Sequence, residues 1–302
     1  MSKNSNKNIK NKSGKFKKTG SNFGFRASKA LGQNFLEDEE VISRIINGAD
    51  ISADDIVIEI GPGQGALTGR LIKKARKVIC VELDNRLIPI LHKRFDKYGN
   101  IEIINADILD IDLNTLISQE GKREAKIIGN LPYYITTPII MHVLETEAPV
   151  ESITIMTQKE VAERILAEPG SRTYGALSVA VQYRCDVKHI TDVSREAFQP
   201  APNVDSAVIK LTVRQKNKYK PKNEALFKAC VRKAFALRRK QLKNSLASMP
   251  TFTKEEVEDA LLNTNIDERR RAETLSISEF IRLADALYDI DAEKITGNKE
   301  NL

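Results

Sequence analysis

No apolar run in this sequence comes near the ~18 residues that a membrane-spanning helix needs. The N-terminus is polar and lysine-rich with no apolar stretch behind it, so a secretory signal is not expected either. Cysteine is scarce. Cys80, Cys185 and Cys230 lie far apart without a CxxC pair, which argues against a disulfide framework and against a zinc site. The three histidines, His92, His142 and His189, also stand alone. These absences lead to the expectation of a cytosolic, metal-free protein with no membrane partner.

Acid is missing from residues 1–36, which carry nine basic residues. The other 266 residues hold 39 basic and 41 acidic ones, a net of −2 against +7 for the whole chain. Within that near-neutral remainder, residues 210–254 contain 14 Lys or Arg and one acid, Glu224. Blocks this one-sided point to a polyanion, nucleic acid above all, rather than to a solvated lysine face. With 302 residues, 41% apolar and 29% charged, the chain can bury a sizeable core in about two domains of ~150 residues.

Residues 1–22 are Lys, Asn, Ser and Gly with almost nothing apolar, and read as a disordered basic arm. From Val41 to Asp192 short apolar runs alternate with helical patterns. Strands are expected at 56–60, 77–81, 101–104, 126–129 and 153–156. Helices are expected at 67–74, 86–94, 138–144 and 158–166. Strand and helix in turn mean βαβ units and a parallel sheet covered on both faces. Residues 187–193 and 207–213 alternate like a hairpin pair added at the sheet edge. After Arg214 a basic linker leads into a region of helical periodicity with no convincing strand. Thr253 with Glu256 and Ser276 with Glu279 are capping boxes that mark helix starts there.

The clearest motif is Glu59-Ile60-Gly61-Pro62-Gly63-Gln64-Gly65, between a strand and a helix. Its glycines allow a tight turn and close approach of a ligand to backbone. Glu82 ends the next strand, 21 residues after Gly61, where a carboxylate can accept from ribose hydroxyls. Gly61-x-Gly63-x-x-Ala66 also satisfies a dinucleotide pattern, so a nicotinamide enzyme competes. A Walker loop is excluded, since no Gly-Lys-Ser/Thr follows. The acid just before the glycines, the third glycine, and Asp107 after the third strand favour S-adenosylmethionine. Asp107 could accept from the amine of an adenine, and Ile108 follows it. Separately, Glu59 could merely brace the loop and Asp107 merely cap a helix. Three acids at successive strand ends lie where open α/β folds bind ligands.

Asn130-Leu131-Pro132-Tyr133-Tyr134 follows the fourth strand. An adenine N6 is a poor nucleophile because its lone pair is delocalised into the ring. An amide oxygen and a backbone carbonyl accepting its two N–H bonds can localise that pair toward a methyl donor. Pro132 stiffens the loop, and an aromatic gives a flipped base a stacking surface. Alone, the stretch reads equally well as an ordinary strand-to-helix turn.

These motifs, with Leu31-Gly32-Gln33-Asn34-Phe35-Leu36, Phe198–Ser206, Arg238-Arg239-Lys240 with Asn244, and Arg271–Ser276, occur in order. In them the chain resembles the rRNA adenine N6,N6-dimethyltransferase family, over roughly residues 26–285. Among its members the resemblance is to the bacterial enzymes that dimethylate two adjacent adenosines in a hairpin near the 3′ end of small-subunit rRNA. It implies an α/β fold: a Rossmann-like S-adenosylmethionine-dependent methyltransferase domain at 23–214. A small all-helical rRNA-binding domain at 215–290 and a frayed tail at 291–302 would follow. The cofactor would be held by Gln33, Asn34, Leu36, Gly61, Gly63, Glu82, Asp107, Ile108 and Asn130. Asn130 and Leu131 would accept from the target N6, Pro132 would shape the loop, and Tyr133 and Phe198 would sandwich the base. Phe198 is therefore expected to be an exposed, positioned ring. Arg232, Lys233, Arg238, Arg239, Lys240, Lys243 and Asn244 would meet rRNA phosphates from a rigid, helical surface. The partner would be the small ribosomal subunit, met by a monomer during ribosome biogenesis. Two readings compete: a large-subunit rRNA adenine methyltransferase of the macrolide-resistance type, and a ribosome-assembly factor whose catalysis is incidental.

Overall fold

A computed structural model describes residues 27–28, 31–121, 124–216, 218–237 and 239–297. The basic arm expected at 1–22 and Arg238 lie outside the described residues. The chain opens with β1 (Phe35–Leu36) and α1 (Glu39–Gly48), whose first turn is capped by Asp38 accepting from Glu40 N and Val41 N. Then come β2 (Ile56–Ile60), α2 (Thr68–Leu71), β3 (Lys77–Glu82), α3 (Ile88–Phe95) and β4 (Ile101–Asn105). The chain continues through α4 (Leu113–Ser118), β5 (Ala125–Asn130), α5 (Thr136–Glu145), β6 (Val150–Gln158), α6 (Lys159–Leu166) and α7 (Ala176–Arg184). Strands β7 (Cys185–Val193), β8 (Phe198–Gln199) and β9 (Ser206–Val213) follow. Four helices close it: α8 (Glu224–Ala236), α9 (Leu242–Leu246), α10 (Lys254–Asn263) and α11 (Ile277–Gly297).

Seven strands form one sheet in the order β4-β3-β2-β5-β6-β9-β7. The first five run parallel, and β9 and β7 are added antiparallel. Side chains alternate between two apolar layers. Ile56, Ile58 and Ile60 of β2 join one buried cluster while Val57 joins the other. Burial on both faces is why these strands read as unbroken apolar runs. From β2 the chain winds outward to β4, then crosses back to β5 on the other side. The carboxyl ends of β2 and β5 therefore flank a topological switch point, where doubly wound sheets leave a crevice.

The helical part has its own core, built around Phe227, Leu242, Leu261, Phe280 and Leu283. Both capping boxes form: Glu256 N donates to Thr253 Oγ1 at 3.2 Å, and Thr253 N donates back to Glu256 Oε2 at 2.8 Å. Ser276 N donates to Glu279 Oε2 at 2.8 Å, starting α11. Helix α11 runs on to Gly297, beyond the end expected at residue 290. The helix expected at 67–74 shrinks to four residues, because Asn100 Nδ2 takes the carbonyls of Ile72 and Ala75 and closes that end. Among the described residues no helix is long and apolar enough to cross a membrane, and no cluster of His, Cys, Asp and Glu could hold a metal ion.

Candidate active site

The switch point opens into a cavity of about 760 Å³. Its floor is the turn after β2, where Gly61, Gly63 and Gly65 all have positive φ (66°, 59° and 87°). Glycine is needed for more than backbone freedom. A Cβ on Gly65 would lie 2.4 Å from the Phe95 ring, and one on Gly63 would lie 3.2 Å from the Phe35 ring.

Glu59 stands just before this turn, 1% exposed. Thr68 Oγ1 donates to it at 2.6 Å, tying the start of α2 to the end of β2, and the Cys80 thiol lies 3.6 Å away. Burial, aided by the nearby Glu82 carboxylate, raises its pKa to about 7 against those hydrogen bonds. Below the ordinary value of 4.5 both folded and unfolded chains hold the proton, so nothing is lost. From there to about 7 the unfolded chain gives it up first, and stability falls as pH rises, then levels off. Glu59→Gln cannot ionise. Its thermal stability relative to the parent chain should therefore climb between pH 5 and pH 8, and a difference that ignores pH would show that Glu59 does not titrate there.

Glu82 ends β3 at the cavity wall. Its Oε2 accepts from Gly63 N at 3.0 Å and its Oε1 from Asp84 N at 2.9 Å, so the carboxylate is braced to the glycine turn and to its own loop. Burial pushes its pKa up. Asp107 caps a short turn by accepting from Leu109 N at 3.0 Å. Across the crevice, the Asn130 side chain donates from Nδ2 to the Asn34 carbonyl at 3.0 Å. That contact engages the donor end of the amide and leaves its Oδ1 end to accept. The Tyr133 hydroxyl is 2.6 Å from Ser206 Oγ, which fixes its half-buried ring, and burial raises the hydroxyl's pKa.

Gln33, Asn34, Leu36, Gly61, Gly63, Glu82, Asp107, Ile108, Asn130, Leu131, Pro132 and Tyr133 all line this one cavity. They come from five separate stretches of chain. Phe198 does not join them. The expected exposed ring is 4% exposed, because β8 pairs antiparallel with β1, setting Phe198 opposite Leu36 in a buried apolar cluster. The exposed aromatic at the rim is Tyr134, at 61%. The basic residues lie elsewhere. Arg232 and Lys233 are on α8, and Lys243 and Asn244 on α9, with Lys243 paired to Glu268 at 2.5 Å. Arg239 and Lys240 sit exposed in the turn between those helices, not on a helix as expected, since α8 ends at Ala236. Three residues escaped the sequence reading: Asp84, Ser206 as a partner of Tyr133, and Phe35 against Gly63. Each acts through a neighbour distant in sequence, so only Asp84's position two after Glu82 gave any signal.

This sheet order, with the crevice at the switch point and a glycine turn beneath it, is that of the Rossmann-like, S-adenosylmethionine-dependent methyltransferases. Two solved structures share it over most of the chain. A dimethyladenosine transferase from Plasmodium falciparum superposes with a TM-score of 0.70 at 27% identity, covering 82% of this chain and 95% of that one. The 23S rRNA methyltransferase ErmE gives 0.65 at 28% identity, covering 84% and 100%. Residues 24–289 match the family model for ribosomal RNA adenine dimethylase, and the chain belongs to that family. Its relatives include Ribosomal RNA small subunit methyltransferase A of Clostridioides difficile (strain 630), 47% identical over 88% of this chain and 92% of that protein. The protein of that name from Clostridium botulinum (strain Langeland / NCTC 10281 / Type F) is 50% identical over 89% and 96%.

Proposed function

We propose that this enzyme dimethylates the N6 amines of two adjacent adenosines in a hairpin near the 3′ end of small-subunit rRNA. The observation that carries the chemistry is the Asn130 amide, held by Asn34 so that its oxygen is left to accept. The small subunit as substrate is supported by the names of the relatives at 47–50% identity. A large-subunit substrate has the 28% likeness to ErmE behind it.

The cavity suits S-adenosylmethionine. Its positive-φ glycines admit a ligand against backbone, and carboxylates at the ends of β3 and β4 suit the ribose and the adenine amine. Glu82 would hold the former and Asp107 the latter, with Ile108 beside the base. Gln33, Asn34 and Leu36 would cover the site, with Gly61 and Gly63 beneath. When bound, the cofactor supplies a methyl group on a positively charged sulfur.

The chain's own residues prepare the nucleophile. Asn130 Oδ1 and the Leu131 carbonyl accept hydrogen bonds from the two N6 N–H groups, concentrating the lone pair on nitrogen. Pro132 holds the loop, and Tyr133, anchored by Ser206, offers a ring face to the flipped base. No strong base is required, because the methylated amine is acidic and sheds its proton to solvent. Arg232, Lys233, Arg239, Lys240, Lys243 and Asn244, with Arg238, would hold rRNA phosphates. This work belongs in the cytoplasm, where the ribosomal subunits are assembled. Labelled S-adenosylmethionine offered with immature small subunits and, separately, with large subunits tests the reading: label should enter small-subunit rRNA, and label confined to the large subunit would overturn it.

The two basic regions should differ in weight. Deleting residues 1–22 removes seven lysines and takes the formal charge from +7 to 0. Bulk charge raises encounter rate and non-specific affinity but does not by itself set register. The truncated enzyme should still dimethylate small subunits, with a shallower dependence of affinity on salt. Changing Arg238, Arg239 and Lys240 to Ala removes three charges and should cost more activity. Rates on the same subunits at two salt concentrations decide it, and an inactive truncation beside an active triple variant would reverse the assignment.

A further inference from the structure

Asp84 follows Glu82 by two residues and does not line the cavity, yet its side chain is only 3% exposed. Its carboxylate accepts four hydrogen bonds. Three come from Arg86 within the same turn: N at 3.1 Å and Nε at 2.8 Å to Oδ1, and Nη2 at 2.6 Å to Oδ2. Those three suffice to make the turn. The fourth comes from Gln33 Nε2 at 2.7 Å, 51 residues away in sequence.

Gln33 belongs to the strap of residues 31–36 that lines the cavity, with Phe35 of the strap set against Gly63 of the glycine turn. The other end of its amide accepts from Ser28 N at 2.8 Å, so the side chain is held from both sides. The strap is fastened at its reacting end by Asn34 to Asn130 and by the pairing of β1 with β8. Gln33–Asp84 fastens the end nearest Glu82, because Asp84 N donates to Glu82 Oε1. The Arg86 guanidinium and the Gln33 amide hold the Asp84 carboxyl down at about 2, so the bond is made to a full negative charge at any working pH.

We propose that the Gln33–Asp84 hydrogen bond is a latch: Asp84 is a positioning residue that keeps the strap closed over bound cofactor and sets how fast the product, S-adenosylhomocysteine, leaves. The proposal rests on the reading of this cavity as the cofactor site. A single residue, Leu83, separates the latch from Glu82, so the group that grips the ribose and the group that holds the strap are placed as a unit.

The test uses full-length protein and S-adenosylhomocysteine as the probe, with release followed by rapid mixing. Gln33→Glu sets a carboxylate against Asp84 and should speed release roughly ten-fold or more, the loss expected for one hydrogen bond to a charged group. Asp84→Asn should also speed release. The double variant, Gln33→Glu with Asp84→Asn, restores a donor facing a carboxylate with the roles exchanged, and should release product more slowly than either single variant. Release from Gln33→Glu at the parent rate, or a double variant as fast as the singles, would overturn the latch. Glu82→Ala measured alongside separates the two claims. If it leaves cofactor affinity unchanged, the site reading fails; if it weakens affinity while Gln33→Glu leaves release unchanged, only the latch fails.

Discussion

Asn130→Ala should leave S-adenosylmethionine affinity within a few-fold of the parent enzyme and slow methyl transfer by roughly 10²–10³-fold, the scale for removing one preorganised polar group from a reacting centre. In the ground state the adenine N6 is nearly planar and hydrogen-bonds adequately to many acceptors. As it attacks, its lone pair leaves the ring and its N–H bonds grow more acidic, so an acceptor fixed in place gains most at that moment. An interaction made chiefly in the transition state appears in the rate and not in substrate binding. The fixing is visible: Asn34 O holds Nδ2 at 3.0 Å, so the amide cannot turn its donor end toward the substrate without breaking that contact. Single-turnover rates beside calorimetric affinities check this. Turnover within a few-fold of the parent would remove Asn130 from the reaction.

Glu82→Ala should act on the other quantity. Two ribose hydroxyls on one carboxylate make charged hydrogen bonds worth roughly 1.5–3 kcal/mol each, so affinity for the cofactor should fall ten-fold or more. The structure adds a second cost. Removing the carboxylate also leaves Gly63 N and Asp84 N without their acceptor, loosening the glycine turn and the loop that follows β3. The effect should depend on pH. Burial holds the Glu82 pKa above the ordinary carboxylate value, and the protonated form is a poor acceptor. Cofactor affinity should therefore begin to fall on acidification at a higher pH than an unperturbed glutamate would give, and Glu82→Ala should lack that fall. Unchanged affinity by calorimetry would place the ribose elsewhere.

Much of this site is legible in the sequence because its parts are local. A strand buried on both faces, a glycine turn and an acid at the next strand end are each written in a few consecutive residues. The doubly wound sheet then gathers every strand's carboxyl end to one edge. What stayed hidden is tertiary. Helix α7 has no apolar stripe, since Leu177 and Val181 pack into the sheet layer while Val179 and Tyr183 face the helical core, and burial on two sides erases amphipathic spacing. Phe198 sits in a proline-studded loop that reads as exposed, yet the two-residue pairing of β8 with β1 draws it inward. The basic stretch after Ala236 lies in a region of helical periodicity and reads as helical, but the described residues place Arg239 and Lys240 in a turn. The role of Asp84 depends on Gln33 crossing 51 residues, which no local pattern encodes.

Locating the methyl groups tests the substrate and the role of Asn130 most directly. Immature small subunits incubated with the enzyme and S-adenosylmethionine can be digested and their rRNA read by mass spectrometry. Two neighbouring adenosines near the 3′ end should each carry two methyl groups on N6. Asn130→Ala, run in parallel, should leave those positions largely unmethylated. Methylation of a single adenosine elsewhere, or of another base, would contradict the proposed substrate and the role given to Asn130.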